Sequence, residues 1–208
     1  MFKKLLNWGI GILTVILIYL VMFVVPPAKG MGEAVRIVFF HVPMAWLAVV
    51  AFVMNDYWGA MYLKAKDMRK DYLSGKSAQL GMVFVLLACA SGAVFSKLTW
   101  GAYWNWDHRQ TTILVLILIY GAYLTLRSAI NDEQKRARIT AVYSLFSCLT
   151  VPFLVFIIPR LYFSLHPSPL INSGGSVDME PVMLMTLLLG VLDATLLYVR
   201  LLLGGKNE

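Results

Sequence analysis

Trp100-Gly101-Ala102-Tyr103-Trp104-Asn105-Trp106-Asp107-His108-Arg109-Gln110-Thr111 lies between two long apolar runs and holds three of the chain's six tryptophans. Laid on a helix, Trp100, Tyr103, Trp104 and Asp107 share one face, because their spacing follows i, i+3, i+4, i+7. The segment is too polar to cross a bilayer and too aromatic for an ordinary solvated loop. Trp and Tyr favour the headgroup zone, where the ring body is apolar and the N–H or O–H stays wet. Two readings follow. One is an interfacial belt helix that only anchors the chain. The other is a flat aromatic platform for a flat apolar ligand, with Asp107 and Arg109 at its rim.

Working outward, the chain is 60% hydrophobic and only 14% charged over 208 residues. A soluble domain is nearer half apolar and a quarter charged. About 20 apolar residues cross a hydrocarbon core, and six runs reach or approach that length, at about 5–25, 37–62, 79–96, 112–128, 140–158 and 181–203. With short connections between them, residues 1–208 read as a single six-helix, all-α membrane domain. Lys3 and Lys4 precede the first run, but it outlasts a signal-peptide core, and Pro26-Pro27 stands where a small-residue cleavage site would be. A retained first helix is expected.

Of the 18 lysines and arginines, Lys29, Arg36, Lys97, Arg109 and Arg160 fall at one set of helix ends and the other thirteen, Lys206 included, at the opposite set. Cytoplasmic ends collect the basic residues. Both termini are therefore expected in the cytoplasm, with the tryptophan-rich segment on the outer face. The net charge of +7 follows from this asymmetry and asks for no nucleic-acid partner. Cys89 and Cys148 fall inside spans and there is no Cys-x-x-Cys, which speaks against thiol exchange and against covalent haem attachment.

Along the chain, Pro26-Pro27-Ala28-Lys29-Gly30-Met31-Gly32-Glu33 reads as an outer loop. Pro43 is expected near the start of the second span, where a missing N–H costs little, which puts His41 at or just below the outer surface. Asn55 and Asp56 lie toward the inner third of that span, and Asp193 lies at comparable depth in the sixth. Ionisable groups inside a membrane are costly and are functional candidates. Against that stands pairing with inner-end bases, as Asp193 two turns before Arg200 suggests, or packing in the neutral form. Residues 64–78 read as a basic inner loop and Asn131–Arg136 as a short inner hairpin. Gly81 and Gly92 allow close helix approach in the third span. The last outer loop runs from Arg160 through His166-Pro167-Ser168-Pro169 to a Gly/Ser stretch at Ser173-Gly174-Gly175-Ser176.

All three histidines, His41, His108 and His166, map to the outer face. Two imidazoles across a flat aromatic floor describe a bis-histidine haem site, since imidazole suits iron and axial ligation is the protein's main lever on haem. Structural zinc would want three or four ligands at recognisable spacing, and neither His-x-x-x-His nor a cysteine pair exists.

The Trp-Gly-x-x-Trp-x-Trp-Asp-x-Arg-x-Thr pattern resembles the tryptophan-rich signature of the haem-handling proteins of cytochrome c maturation. Pro26-Pro27, Val35-Arg36-Ile37, His41-Val42-Pro43 with Ala45-Trp46, the 100–111 stretch and Leu165-His166-Pro167 resemble, in order and spacing, the CcmC family of the System I pathway. The likeness covers nearly the whole chain. It implies a bacterial inner-membrane, multi-pass protein with its haem site facing the periplasm. It implies His41 and His166 as axial ligands of a haem b held non-covalently and transiently. The cofactor-binding residues it implies are Trp100, Tyr103, Trp104, Trp106, Asp107 and Arg109, although Trp106 lies off the helical face. Arg109, Arg36 and Arg160 suit the propionates, since guanidinium matches carboxylate in bidentate fashion. The implied partners are membrane lipid, the haem chaperone CcmE, the ABC transporter CcmAB and the small protein CcmD. Delivery, with no enzymatic reaction, is the implied role. His108 departs from the family pattern, which has a small residue or proline there, and Asn105 stands where an apolar residue is usual.

Three rivals remain. A System II-type cytochrome c haem synthetase component would be larger and carry a second histidine pair within the membrane. A transmembrane haem transporter subunit would use Asp56 and Asp193 to line a path, but no broken-helix repeat is visible. A structural subunit would use the aromatic belt as an anchor alone.

Overall fold

The structure is a computed structural model and describes residues 2–166 and 179–204. Six helical segments are long and apolar enough to cross a membrane: Lys3–Val24, Glu33–Ala65, Met68–Trp100, His108–Ala129, Glu133–Leu161 and Pro181–Leu203. All six expected spans are present, most of them longer than the apolar runs. Helices close every backbone hydrogen bond within their own segment, which is what a hydrocarbon medium demands. Pro167, Pro169, the 173–176 stretch and Lys206 lie outside the described residues.

The elements are α1 (Phe2–Tyr19) with a π-helical turn (Leu20–Val24), a 3-10 turn (Glu33–Ile37) leading into α2 (Val38–Ala65), and α3 (Met68–Trp100). Then come α4 (His108–Ala129), α5 (Glu133–Pro152) with a π turn (Phe153–Ile157) and the short α6 (Ile158–Leu161), and α7 (Pro181–Leu203). Local chemistry explains the breaks. Pro26-Pro27 follows the π turn of α1 and cannot continue it. Asp132 caps α5 by accepting from the Lys135 amide at 2.6 Å.

The described residues pack as two compact units. The first comprises residues 2–46, 90–105, 165–166 and 179–204. Its apolar core is Val25, Val35, Phe39, Met183 and Leu187. Arg36 ties the loop after α1, pairing with Glu33 and donating to the Val21 carbonyl. Pro43 lies inside α2 rather than at its start. Without an N–H it leaves the Phe39 carbonyl, one turn back, without its helical donor. That carbonyl and the Pro43 ring each sit 3.4 Å from where a Cβ at Gly190 would stand, so α7 approaches them through a glycine. Asp193 does not pair with Arg200, as the sequence suggested. Thr14 of α1 donates to its Oδ2 at 2.8 Å, while Arg200 donates to Asn7 at 2.8 Å.

The second unit comprises residues 47–89 and 106–164. Residues 68–78 are not a loop, as their polarity suggested, but the first turns of α3, with only residues 66–67 between helices. Lys66 takes a positive φ of 54° to end α2. Three polar side chains of those turns are buried, those of Asp71, Ser74 and Ser77. Asn55 is fully buried and donates to the Ser74 carbonyl at 3.0 Å and to the Tyr123 hydroxyl at 3.0 Å. The Asp71 carboxylate accepts two Arg127 hydrogen bonds of 2.6 Å, and Arg136 stands 3.6 Å away. Among the described residues Asp56 likewise pairs with no inner-end base. Gly81 lets the Phe52 ring pack on α3, as expected of a close-approach glycine, since a Cβ there would stand 2.6 Å from it.

Candidate functional site

The tryptophan-rich segment is not a helix, and this corrects the face drawn from its spacing. After Trp100 the chain bends and runs without regular secondary structure to Asp107. Gly101 takes φ +83° and its N–H bonds the Lys97 carbonyl at 3.2 Å, the left-handed glycine stop of a helix. Asp107, 7% exposed, then starts α4 by accepting from the Arg109 amide at 2.9 Å. A glycine stop at Gly101 and an aspartate cap at Asp107 override the aromatic periodicity.

In the first unit, Trp100 sits edge-on to Phe95 at 5.6 Å between ring centroids. Its ring meets the imidazole of His166 at 5.0 Å, tilted by 59°. Tyr103 is 62% exposed, with the Lys97 ammonium 5.7 Å from its ring centre. Trp104 is half-buried. Asn105 donates to the Ser96 hydroxyl at 2.7 Å, and Ser96 donates to the Ala102 carbonyl at 2.7 Å. The polar residue at this place in the motif thereby pins the bent backbone to α3.

His41 belongs to the same unit and is half-buried on α2. Its Nδ1 lies 3.1 Å from the Ser91 hydroxyl of α3. A Cβ at Gly92 would stand 2.9 Å from His41 Cε1, so the ring fits only because that residue is glycine. Ser91 was not legible in the sequence. Gly92 was, as a close-approach position, though nothing local tells that the approaching group is a histidine. Arg36, expected beside a propionate, is engaged with Glu33 and Val21.

The second unit holds the rest of the predicted residues. Trp106 adopts φ +55° and is 72% exposed. Asp107 also accepts from the Ser164 hydroxyl at 3.0 Å, a tie that the sequence did not reveal. The exposed His108 lies with its ring centre 4.7 Å from that of Tyr162. Arg109 has Asp107 and Arg160 within electrostatic reach, and its Nε is buried without a partner among the described residues. Arg160 donates to the Phe156 carbonyl at 2.8 Å and lies over the Phe156 ring. Asp107 is thus a helix cap and a strap anchor in this structure. Asp107→Ala is expected to destabilise the protein by about 1–2 kcal/mol, read as a lower denaturation midpoint in detergent, while Asp107→Asn recovers most of it. An unchanged midpoint for the alanine variant would deny the cap its weight.

Residues 1–207 match the family model CcmC, described as "Heme exporter protein C". A "Heme exporter protein C" of Bradyrhizobium diazoefficiens is 32% identical over 88% of this chain and 70% of its own length. A "Putative cytochrome c biosynthesis ccmC-like mitochondrial protein" of Marchantia polymorpha is 28% identical over 81% of this chain and 71% of its own length. A "Heme exporter protein C" of Rhodobacter capsulatus is 33% identical over 59% of this chain, and the match covers 51% of that relative.

Proposed function

The chain belongs to the CcmC, heme exporter protein C, family of multi-pass membrane proteins with a role in haem handling for cytochrome c maturation, and we propose that it holds haem between His41 and His166 and then releases it. One observation carries this reading. The imidazole of His166 packs on Trp100, at the root of the tryptophan-rich segment, in the compact unit that also seats His41.

The donor set fits the cargo. Imidazole nitrogen ligates iron, and an indole face packs on a flat macrocycle. Bound to a protein, haem supplies redox chemistry through its iron; this chain supplies only its holding and release. Trp100 and Trp104 form the aromatic part of the site, with Tyr103 at its exposed edge. The two ligands come from different elements, His41 from α2 and His166 from the segment after α6, so a movement of either would free one side of the cargo. Ligation without a covalent link suits delivery. Within the second unit, Arg109 lies within electrostatic reach of both Asp107 and Arg160, and the net positive charge of the three favours an anion such as a carboxylate.

The family likeness and the distribution of basic residues support the rest of the reading: both termini in the cytoplasm, the histidines toward the periplasmic side of a bacterial inner membrane, and no reaction catalysed. The cargo is haem b, and the partners are the chaperone CcmE as acceptor, with CcmAB and CcmD in the same system. The experiment is a haem titration of the detergent-purified chain. Trp100→Leu is expected to lower affinity about two- to tenfold, the weight of one aromatic contact beyond area burial. Leucine at Trp100, Tyr103 and Trp104 together should lower it further. Trp106→Leu, with its ring largely in the open, should leave affinity unchanged. Equal affinity in the triple variant and the parent would reduce the segment to a membrane anchor.

A further inference from the structure

We infer that Ser91 and Gly92 are positioning residues that hold His41 in the tautomer and orientation that leave Nε2 free to ligate iron. The inference rests on the ligand reading of His41 and goes beyond it to what sets the ring. A neutral histidine carries its proton on either nitrogen, and the hydrogen bond made by one nitrogen decides what the other can do. The Ser91 hydroxyl faces Nδ1 at 3.1 Å. A serine inside a helix habitually donates its O–H to the carbonyl one turn back. Its oxygen then meets His41 as an acceptor, so Nδ1 bears the proton and Nε2 the lone pair. That form leaves Nε2 free to ligate iron.

Gly92 sets the orientation. A Cβ at this position would stand 2.9 Å from Cε1, 3.4 Å from Nδ1 and 3.9 Å from Nε2 of His41. The imidazole therefore lies against the backbone of α3, and any side chain at residue 92 would push the ring off Ser91. Two consecutive residues of one helix thus do two jobs: one fixes the proton, the other fixes the plane.

The test uses the full chain, haem-free, in detergent with 15N-labelled histidine. The chain has three histidines, so single-histidine variants assign the signals. The parent is expected to show His41 mainly as the Nδ1–H tautomer. Ser91→Ala should move it to the Nε2–H form that free histidine prefers, and Ser91→Thr should restore the parent pattern. His108 should keep its signal throughout. Gly92→Ala should lower haem affinity about tenfold or more through overpacking. Ser91→Ala should perturb the low-spin spectrum of the loaded protein without abolishing binding. A parent already in the Nε2–H form, or a tautomer indifferent to Ser91→Ala, overturns the inference even if Gly92→Ala fails to fold. The ligand reading fails separately, by full haem retention in His41→Ala. The tautomer result does not depend on haem, so the two failures cannot be confused.

Discussion

Replacing either His41 or His166 with alanine is expected to lower haem retention by more than about a hundredfold. Partners that merely orient a metal ligand account for roughly 10–100-fold when lost, and removing the ligand itself must exceed that. The two variants should act alike, because each would leave only one imidazole to hold the iron. Co-purified haem measured as the pyridine haemochrome, together with the loss of the low-spin spectrum, reads the effect. His108→Ala is the control. Its ring lies tilted against that of Tyr162 at an exposed place in the second unit, and haem content should not change. Full occupancy and an unaltered spectrum in both His41 and His166 variants would end the ligand assignment.

The second large effect concerns stability, far from the histidines in sequence. Asp71→Ala is expected to cost about 3–5 kcal/mol, the usual consequence of removing one partner from a buried ion pair. Asp71 is 4% exposed and Arg127 reaches it with both terminal nitrogens at 2.6 Å. Arg127 also donates to Thr140 at 3.1 Å and to the Asp71 carbonyl at 3.2 Å, so the pair binds α3, α4 and α5 of the second unit together. Without the carboxylate, Arg127 keeps a largely buried charge with no counter-ion, and Arg136 loses its anion as well. The attraction between the two charges matters less than this stranding. Hence Asp71→Leu combined with Arg127→Leu should recover much of the loss, since neither charge is then buried alone. Denaturation midpoints in detergent decide the point. A loss below about 1 kcal/mol for Asp71→Ala would place the pair among ordinary surface bridges.

Span number, approximate span position and all-helical class were legible in the residues alone. In hydrocarbon each helix satisfies its own backbone, so a local run of apolar residues is enough to announce one. The family was legible too, because the blocks around His41, Trp100–Thr111 and His166 are distinctive in order and spacing. The conformation of the aromatic stretch was also written locally, in Gly101 and Asp107. It was misread because four aromatic and acidic positions at helical spacing outweighed one glycine stop and one cap. Polarity misled in the same way over residues 68–78, where Asp71 and Ser74 turn inward to partners on other helices.

Those partners are what only the tertiary structure decided. Ser91 is 50 residues from His41, Arg127 is 56 from Asp71, and Thr14 is 179 from Asp193. A buried polar group must find a hydrogen-bonding partner, but nothing in its neighbourhood along the chain says which of many candidates it will meet. Asp193 shows the difference: Arg200 on its own helix offered a charge, yet the carboxylate takes the Thr14 hydroxyl because α1 packs there and Arg200 turns to Asn7. Hydrophobic length is a property of one segment and can be read from that segment. The pairing of polar side chains depends on which helices lie side by side and at what rotation, and packing alone sets both.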